Sequence, residues 1–471
     1  MRKQTALPVL GLDTSKPAEW ISDQNTPNCQ NVDEFDGQIR KSYGFAALGA
    51  QIGGTNKPIM SGIEFKRDGV TYVMRIGVDI AEKLNTATGA WASISAGTNS
   101  STVTDEMAIA LPFLSGKRIA VFTSAAMAPQ KWTGTGNHAD LGGSPPKAKY
   151  CEAHAPYTLL AHITDDGGSA YSTRVQWPDT GDPENWSTGN SGYKDLHEGG
   201  DITGLKKYGN YTTVHKRDRL YLGYLVQTSS IYQFDEKYTP GTICNASIQN
   251  LPNGSQVYLA IDGIRLFNGS TSTLIDSPIN TQLRDTINLG FSYRAWSIVI
   301  RDLEEYWIGI PISGSEYANV VFRFNYTTGQ IFKRTFIQKE ILSAFNYSNI
   351  SSLTWADLTG SWETQTWRWN DSTNVIGAEI AVLNTADGYS MTYDKTTTND
   401  LGLAVDSIFE SKDYFLKDYL GKMVRWNKLE LWAKGESVKV SYSTDKGNTW
   451  TLIEEKTLNS SYPTDEDPLI F

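Results

Sequence analysis

The sequence is short of three things, and each shortage excludes something. Cysteine occurs only as Cys29, Cys151 and Cys244, widely spaced and odd in number. That excludes a disulfide framework and fits folding in a reducing compartment. Long apolar runs are missing: the longest, such as residues 108–114, fall far short of the ~20 residues of a spanning helix. The opening MRKQTALPVLGLDT starts basic but lacks the apolar stretch of a signal peptide. Positive charge is outweighed, 42 Lys and Arg against 52 Asp and Glu, for a net charge of −10. A protein gripping nucleic acid through a broad basic surface needs the opposite balance, although a channel that lets nucleic acid pass without sticking does not. The N-x-S/T triplets at Asn210, Asn245 and Asn346 are chance products of a Ser/Thr/Asn-rich surface.

Signatures of catalysis are missing as well. Five histidines are scattered, no G-x-S-x-G elbow is present, and no Walker-type phosphate loop occurs. Cys151, His154 and His162 lie close in sequence, but Cys-x2-His with a distant His is not a zinc spacing, and alternate strand positions face opposite ways. Carboxylates suited to a glycosidase pair are available at Asp165-Asp166, Glu304-Glu305 and Asp179/Asp182/Glu184. Nothing marks one of them for a raised pKa. The expectation is therefore no catalytic residue, no metal and no cofactor.

What is abundant is turn chemistry and aromatics: 41 Gly, 14 Trp, 24 Tyr and 16 Phe. Residues 61–94 set the pattern. Ile63 and Phe65 alternate with Glu64 and Lys66, and Asp68-Gly69 makes a tight turn. Val70, Tyr72 and Met74 alternate again, a third run ends at Leu84, and Thr88-Gly89 leads to Trp91. This is a four-stranded antiparallel meander near the ~40–45-residue length of a propeller blade. Degenerate copies follow at 102–145, 151–186, 201–245, 255–285, 292–335 and 351–394, with repeated Asp-Gly signals at Asp262-Gly263 and Asp387-Gly388. One such sheet has two faces and two edges and cannot stand alone. Radial stacking solves that, so the expectation is an all-β chain whose residues 53–400 form a β-propeller of about seven blades. An irregular β-sandwich is the alternative.

The flanks differ. Pro8, Gly11, Pro17 and Pro27 break regular structure in residues 1–52, which read as an extended arm with one hairpin. The arm carries Trp20, Val32, Phe35, Ile39, Tyr43 and Phe45, which need a surface to bury against, and Arg40 and Lys41, which suit acidic groups on a partner. From 401 the character changes. Val405, Ile408, Phe409, Phe415, Leu416 and Tyr419 fall near helical spacing, and strand-like runs follow at 429–434, 437–443 and 450–454. Residues 401–471 are expected to form a small β-rich, sandwich-like domain. Within it Ser443, Asp445, Gly447, Thr449 and Trp450 spell the Asp-box S-x-D-x-G-x-T-W. This is a hairpin device in which Asp accepts backbone N–H bonds, Gly takes positive φ and Trp packs beneath the turn. Short cationic spots occur at Lys206-Lys207 and at His215-Lys216-Arg217 with Arg219. They read as solvated hairpin ends or as points of light contact with passing DNA.

Taken in order, these features resemble the phage tail nozzle and packaged-DNA stabilisation proteins. QNVDEFDGQIRKSYGF at 30–45 is similar to that family's entry hairpin, GDPENW at 181–186 to its loop after the third blade, and AIDGIRLFNGS at 260–270 to a blade motif. VFRFNYTTGQIF at 321–332 is similar to its T-G turn, and KLELWAKGESVKVSYSTDKGNTW at 428–450 to its C-terminal sandwich. Ser42-Tyr43-Gly44 departs from the family's R-P-G, and the sequence ends short of the strands such a sandwich normally adds. The resemblance implies a virion structural protein, made in the host bacterial cytoplasm, that forms a homo-oligomeric ring of six in the tail. It implies portal or adaptor proteins above, a needle, fibre or spike below, and transient non-specific contact with genomic double-stranded DNA. On this reading the ring extends or closes the DNA channel, retains packaged DNA and permits ejection, with Lys206, Lys207, Lys216, Arg217 and Arg219 as channel contacts. The arm and residues 401–471 would build the ring. A tail-borne glycan- or receptor-binding module is the alternative. A sialidase-like glycosidase is a weaker one, because the Asp-box occurs once and outside the blades.

Overall fold

A computed structural model describes residues 10–35, 38–96, 102–226, 231–336, 338–348, 379–414, 429–433, 435–458 and 469–470. The chain is an all-β propeller. Six blades are continuous four-strand meanders. The first has strands Ile59–Arg67, Val70–Gly77, Ala81–Asn85 and Ala90–Ser93. The others span 108–140, 147–195, 202–237, 249–274 and 296–334, each with its first strand innermost. A composite sheet built on Ile341–Ser348, Glu379–Thr385 and Ser390–Asp394 sits between the sixth blade and the first and closes the ring.

The local reasons are those the sequence offers. At the first hairpin Asp68 and Gly69 both take positive φ, 51° and 81°, which matches the twist of the strands it joins. Alternation then places one face of each sheet against its neighbour. Phe65 of the first blade stacks on Tyr72 and meets the edge of Trp132 of the second, with centroids 5.6 Å apart. Val73 and Leu84 of the first blade pack with Phe345 and Val382 of the composite sheet, so the ring is sealed by the same apolar contact that joins the other blades.

The composite sheet corrects the reading of the arm. Its fourth strand is Gly44–Ala47, antiparallel to Ser390–Asp394 with Phe45 opposite Tyr393. Phe45 is 1% exposed and lies edge-on to Trp307, Phe336 and Tyr393. Val32 is buried in the core shared by the fifth and sixth blades, and Ile39 packs on it. Tyr43 meets Tyr393 edge-on and holds the Arg40 guanidinium over its ring. Lys41 is half-buried in the strand paired with Val32–Phe35. Further upstream, Gly11–Leu12 runs parallel to Ile331 and extends the sixth blade. The segment therefore spends its apolar side chains on its own propeller and has few left for a neighbour. Among the described residues Trp20, at 73% exposed, and Leu10, at 46%, are exceptions. The side chain of Phe35 lies outside the described residues.

The expected boundary at 401 also moves. Asn399–Asp400 and Leu403–Ala404 still belong to the composite sheet, and Ile408–Glu410 pairs with Asn28–Gln30. The helical spacing at 405–409 is overridden, because these residues add to existing strand edges. Phe415, Leu416 and Tyr419 lie outside the described residues, as does most of the expected meander at 351–394. Beyond them, Ser437–Tyr442 and Thr451–Thr457 form a hairpin, and Glu430–Leu431 pairs with Leu469–Ile470.

A buried charge network ties the closing segment to the sixth blade. Arg323 makes a bidentate pair with Glu305 at 2.9 Å through Nε and through Nη2. Its Nη1 donates to Asp33 and to Ser42. Arg334 donates to the Tyr43 carbonyl and to Asp400, each at 2.7 Å. Burial pushes the Asp33 carboxyl up, but Arg323 and Ser42 outweigh it and hold it below the usual range. Burial dominates at the other pair, raising Asp400 and lowering Arg334. Removing one partner from such a network leaves an uncompensated buried charge.

These placements set a clear contrast. Phe45→Ala should destabilise the protein by about 3–5 kcal/mol in urea unfolding, the range for truncating a buried Phe. Trp20→Ala should change stability by less than about 0.5 kcal/mol. Equal, small effects would show that the 44–47 strand is not part of the ring.

Candidate functional site

Propellers place inward-facing residues of their innermost strands around an axis. Two cavities lie among those residues. Where the inner strands begin, a cavity of about 50 Å³ is lined by Met60, Glu106, Tyr150, Asn245, Arg294 and Leu342 among others. Glu106 pairs with Lys149 at 3.2 Å, and burial pushes its carboxyl up despite that cation. Arg294 reaches Glu316 at 3.4 Å and is ringed by Phe291, Tyr293 and Tyr317. Such a space takes a few waters. It cannot pass duplex DNA, whose major groove alone is ~12 Å wide. Any DNA channel built from this protein must lie between copies and not along the propeller axis.

At the other end of the inner strands a larger cavity of about 250 Å³ opens between the first four blades. Its wall includes Ile63, Ile109, Leu111 and Phe113. Its charges are Arg118, Glu152, Lys206 and Lys207. The sequence had singled out two of these, Lys206 and Lys207. Both lie at the end of strand Ile202–Tyr208, the innermost of the fourth blade. Arg118 was missed. It reaches the mouth because the Phe113–Leu114 and Lys117–Arg118 hairpin interrupts the second blade, and the only sequence signal was Ser115-Gly116 between those pairs.

The other cationic spot comes apart. The 217–219 turn joins the second and third strands of the blade at the end opposite Lys206-Lys207, since Ile202 pairs with Lys216 and Tyr208 with Tyr211. Lys216 is fully buried and donates to the Leu196 and Glu198 carbonyls. Burial pushes its pKa down to about 8. It is a structural cation and cannot be a channel contact. Arg219 pairs with Glu236 at 2.6 Å and lies over Tyr238, which leaves Arg217 exposed. His215 is buried between Gln256 and the ring of Tyr258.

Apart from Asp166 and Glu304, which are exposed, the remaining candidates are occupied by the fold. Asp179 accepts from the Thr180 and Asn190 backbones, Asp182 from Glu184, and Asp165 from Ser169. Glu184 binds Lys131 and the Gly142 backbone, and Glu305 binds Arg323. His154 sits between Tyr232 and the Asn210 carbonyl, His162 meets the Ile202 carbonyl, and Cys151 faces the Val121 carbonyl. No group of three or more metal-ligating side chains occurs among the described residues. The Asp-box has its expected hydrogen bonds. Asp445 accepts from the Thr449 N–H at 2.8 Å and hydroxyl at 2.6 Å and from the Ser443 hydroxyl, which bring its pKa down to about 2. Gly447 takes φ 81°. Trp450 departs from expectation: it is 50% exposed.

Two measurements follow. Asp445→Ala should speed amide exchange across 437–457 and leave the blades unchanged, because it frees the Thr449 N–H and the Thr449 and Ser443 hydroxyls, all within the turn. His215 is held neutral by burial, its pKa pushed down to about 3, whereas unfolding restores a value near ~6.5. Its contribution to stability is full above ~6.5 and is lost as pH falls toward 3. The melting temperature should therefore fall less steeply between pH 6.5 and 4.5 in His215→Gln than in the wild type.

Comparison with known proteins names no family for the chain. No family model and no curated protein matches the chain. Among solved structures, it is similar to PorZ, a bacterial surface component of the type-IX secretion system of Porphyromonas gingivalis. That match has 12% identity and a TM-score of 0.38 over 87% of this chain and 46% of the other. It is also similar to the extracellular domain of a putative one-component system from B. thetaiotaomicron, with 10% identity and a TM-score of 0.36 over 60% and 38%. The chain thus spans under half the length of either.

Proposed function

We propose that this protein is a non-catalytic structural component of a phage tail, assembling as a ring through its C-terminal β-region. One observation supports assembly above the others. The 437–457 hairpin is exposed along nearly its whole length, with Tyr442, Trp450, Leu452 and Ile453 each between 44% and 56% exposed. Trp432 and Ile470 beside it are also exposed. A lone two-stranded hairpin is marginal in water, and clustered large apolar side chains mark an interaction surface. The ion pair of Glu19 with Lys446 sets the neighbourhood of exposed Trp20 against the Asp-box turn and widens that surface.

The arm's part in this reading shrinks. Ring contacts fall to Trp20 and the hairpin, while residues 32–47 hold the propeller closed. The closed axis moves the DNA lumen to the centre of the ring. The order of motifs shared with tail nozzle proteins supports the tail as the location, and six copies remain the expected number. A contact surface differing from its complement forms a ring when the rotation closes.

Electron microscopy of the purified protein should show rings with a central opening wide enough for duplex DNA. Leu452→Glu with Ile453→Glu should yield monomers with an unchanged propeller melting transition. Rings that survive this double substitution would move the assembly surface to the blades. A wild-type monomer at high concentration would remove the proposal.

A further inference from the structure

The mouth cavity is lined by residues of the first four blades and by none of the C-terminal hairpin. We propose that it holds a saccharide residue carrying a negative charge, as a carboxylate or a phosphate. The inference does not rest on ring formation.

Charge comes first. Arg118, Lys206 and Lys207 face the cavity against one carboxylate, Glu152, in a protein of net charge −10. The cations are poorly compensated. Lys206 stands 3.8 Å from Glu152, beyond hydrogen-bond distance. Glu152 already accepts from the Ala153 N–H at 3.0 Å. Lys207 has no ion-pair partner among the described residues. The Arg118 Nε is buried without a hydrogen-bond partner, although such donors are seldom left unpaired. An anion entering the cavity would meet all three.

Size and wall chemistry narrow the ligand. About 250 Å³ is below the ~300–1,000 Å³ of drug-sized sites and admits one small ring, not a duplex. Ile63, Ile109 and Leu111 give an apolar wall for the C–H face of a sugar, beside polar groups that fix its orientation. A nucleobase would need a free aromatic face to stack on. Phe113 is the exposed ring here, and the Arg118 guanidinium lies over it at 5.3 Å. The second aromatic, Tyr157, is 6% exposed, with its hydroxyl bonded to Thr180. Lys206, Lys207 and Glu152 stand on innermost strands of the propeller, so the site is preorganised and binding orders little.

The test is titration calorimetry on the full chain with four probes: trigalacturonate, glucose 6-phosphate, neutral maltotriose and a short duplex DNA. At least one acidic sugar should bind, more weakly as salt rises, and maltotriose should bind about 10-fold worse or not at all, the scale of one lost charge-assisted hydrogen bond. Lys206→Gln with Lys207→Gln should weaken the acidic probe by about 10-fold or more while rings and melting temperature stay unchanged. Phe113→Ala, at an exposed position, checks the wall independently and should also weaken binding. The proposal is overturned if neither acidic sugar binds, if maltotriose binds equally well, if the double variant binds as the wild type does, or if duplex DNA displaces the sugar.

Discussion

The propeller depends on a strand it borrows from the other end of the chain. The last sheet has three strands of its own in sequence, and the fourth, Gly44–Ala47, arrives from upstream of the first blade. Without it, Trp296, Trp307 and Met391 would lose Phe45 as a packing partner, and Ser390–Asp394 would become an open edge. The Arg323 and Arg334 networks act at the same seam. They draw Asp33, Ser42 and Tyr43 from the N-terminal segment and Asp400 from beyond the last blade onto two arginines of the sixth. Apolar packing supplies most of the adhesion. The charges fix the register, because a one-residue slip would leave buried ions unpaired.

This arrangement divides the molecule by role. The seam and the inter-blade cores bury most of the blades' apolar side chains, and those left exposed, such as Val70, Tyr193 and Tyr238, are scattered over different blades. The C-terminal hairpin, by contrast, exposes almost everything it has. Where the inner strands begin, the centre of the propeller holds only a small cavity.

Much of the architecture was legible in the sequence because turns carry hard constraints. Asp68-Gly69 must take positive φ, and it does. The alternation of Ile63, Phe65, Tyr72 and Met74 must put one face inward, and these residues join the first inter-blade core. The Asp-box was legible for the same reason: each of its hydrogen bonds is local. What escaped was non-local. Nothing near Phe45 announces that its partners are Trp307 and Tyr393, so a segment rich in Pro and Gly looked unstructured. Lys216 looked like a surface cation because its carbonyl partners at 196 and 198 belong to another loop. Helical spacing at 405–409 misled because free strand edges at 28–30 and 44–47 decided the outcome. The mouth site was half visible, as Lys206-Lys207. Its third cation sits on a hairpin that local pattern placed no differently from any other.

The borrowed strand also sets a schedule. Ala46 and its partner Thr392 are 346 residues apart, so at ~5–20 residues per second the ribosome needs roughly 17–70 s between them. Until the fifth and sixth blades have been made, the N-terminal segment, with Val32, Phe45 and the ligands of two arginines, has nothing to close on. Contacts this distant in sequence form late and slowly. Once formed, they link the two ends of the ring, so no blade can peel away first without breaking the seam. A nascent chain stalled before residue 390 would therefore be an open arc with two sticky edges. Its own first residues, already waiting, are the strand best placed to cover one of them.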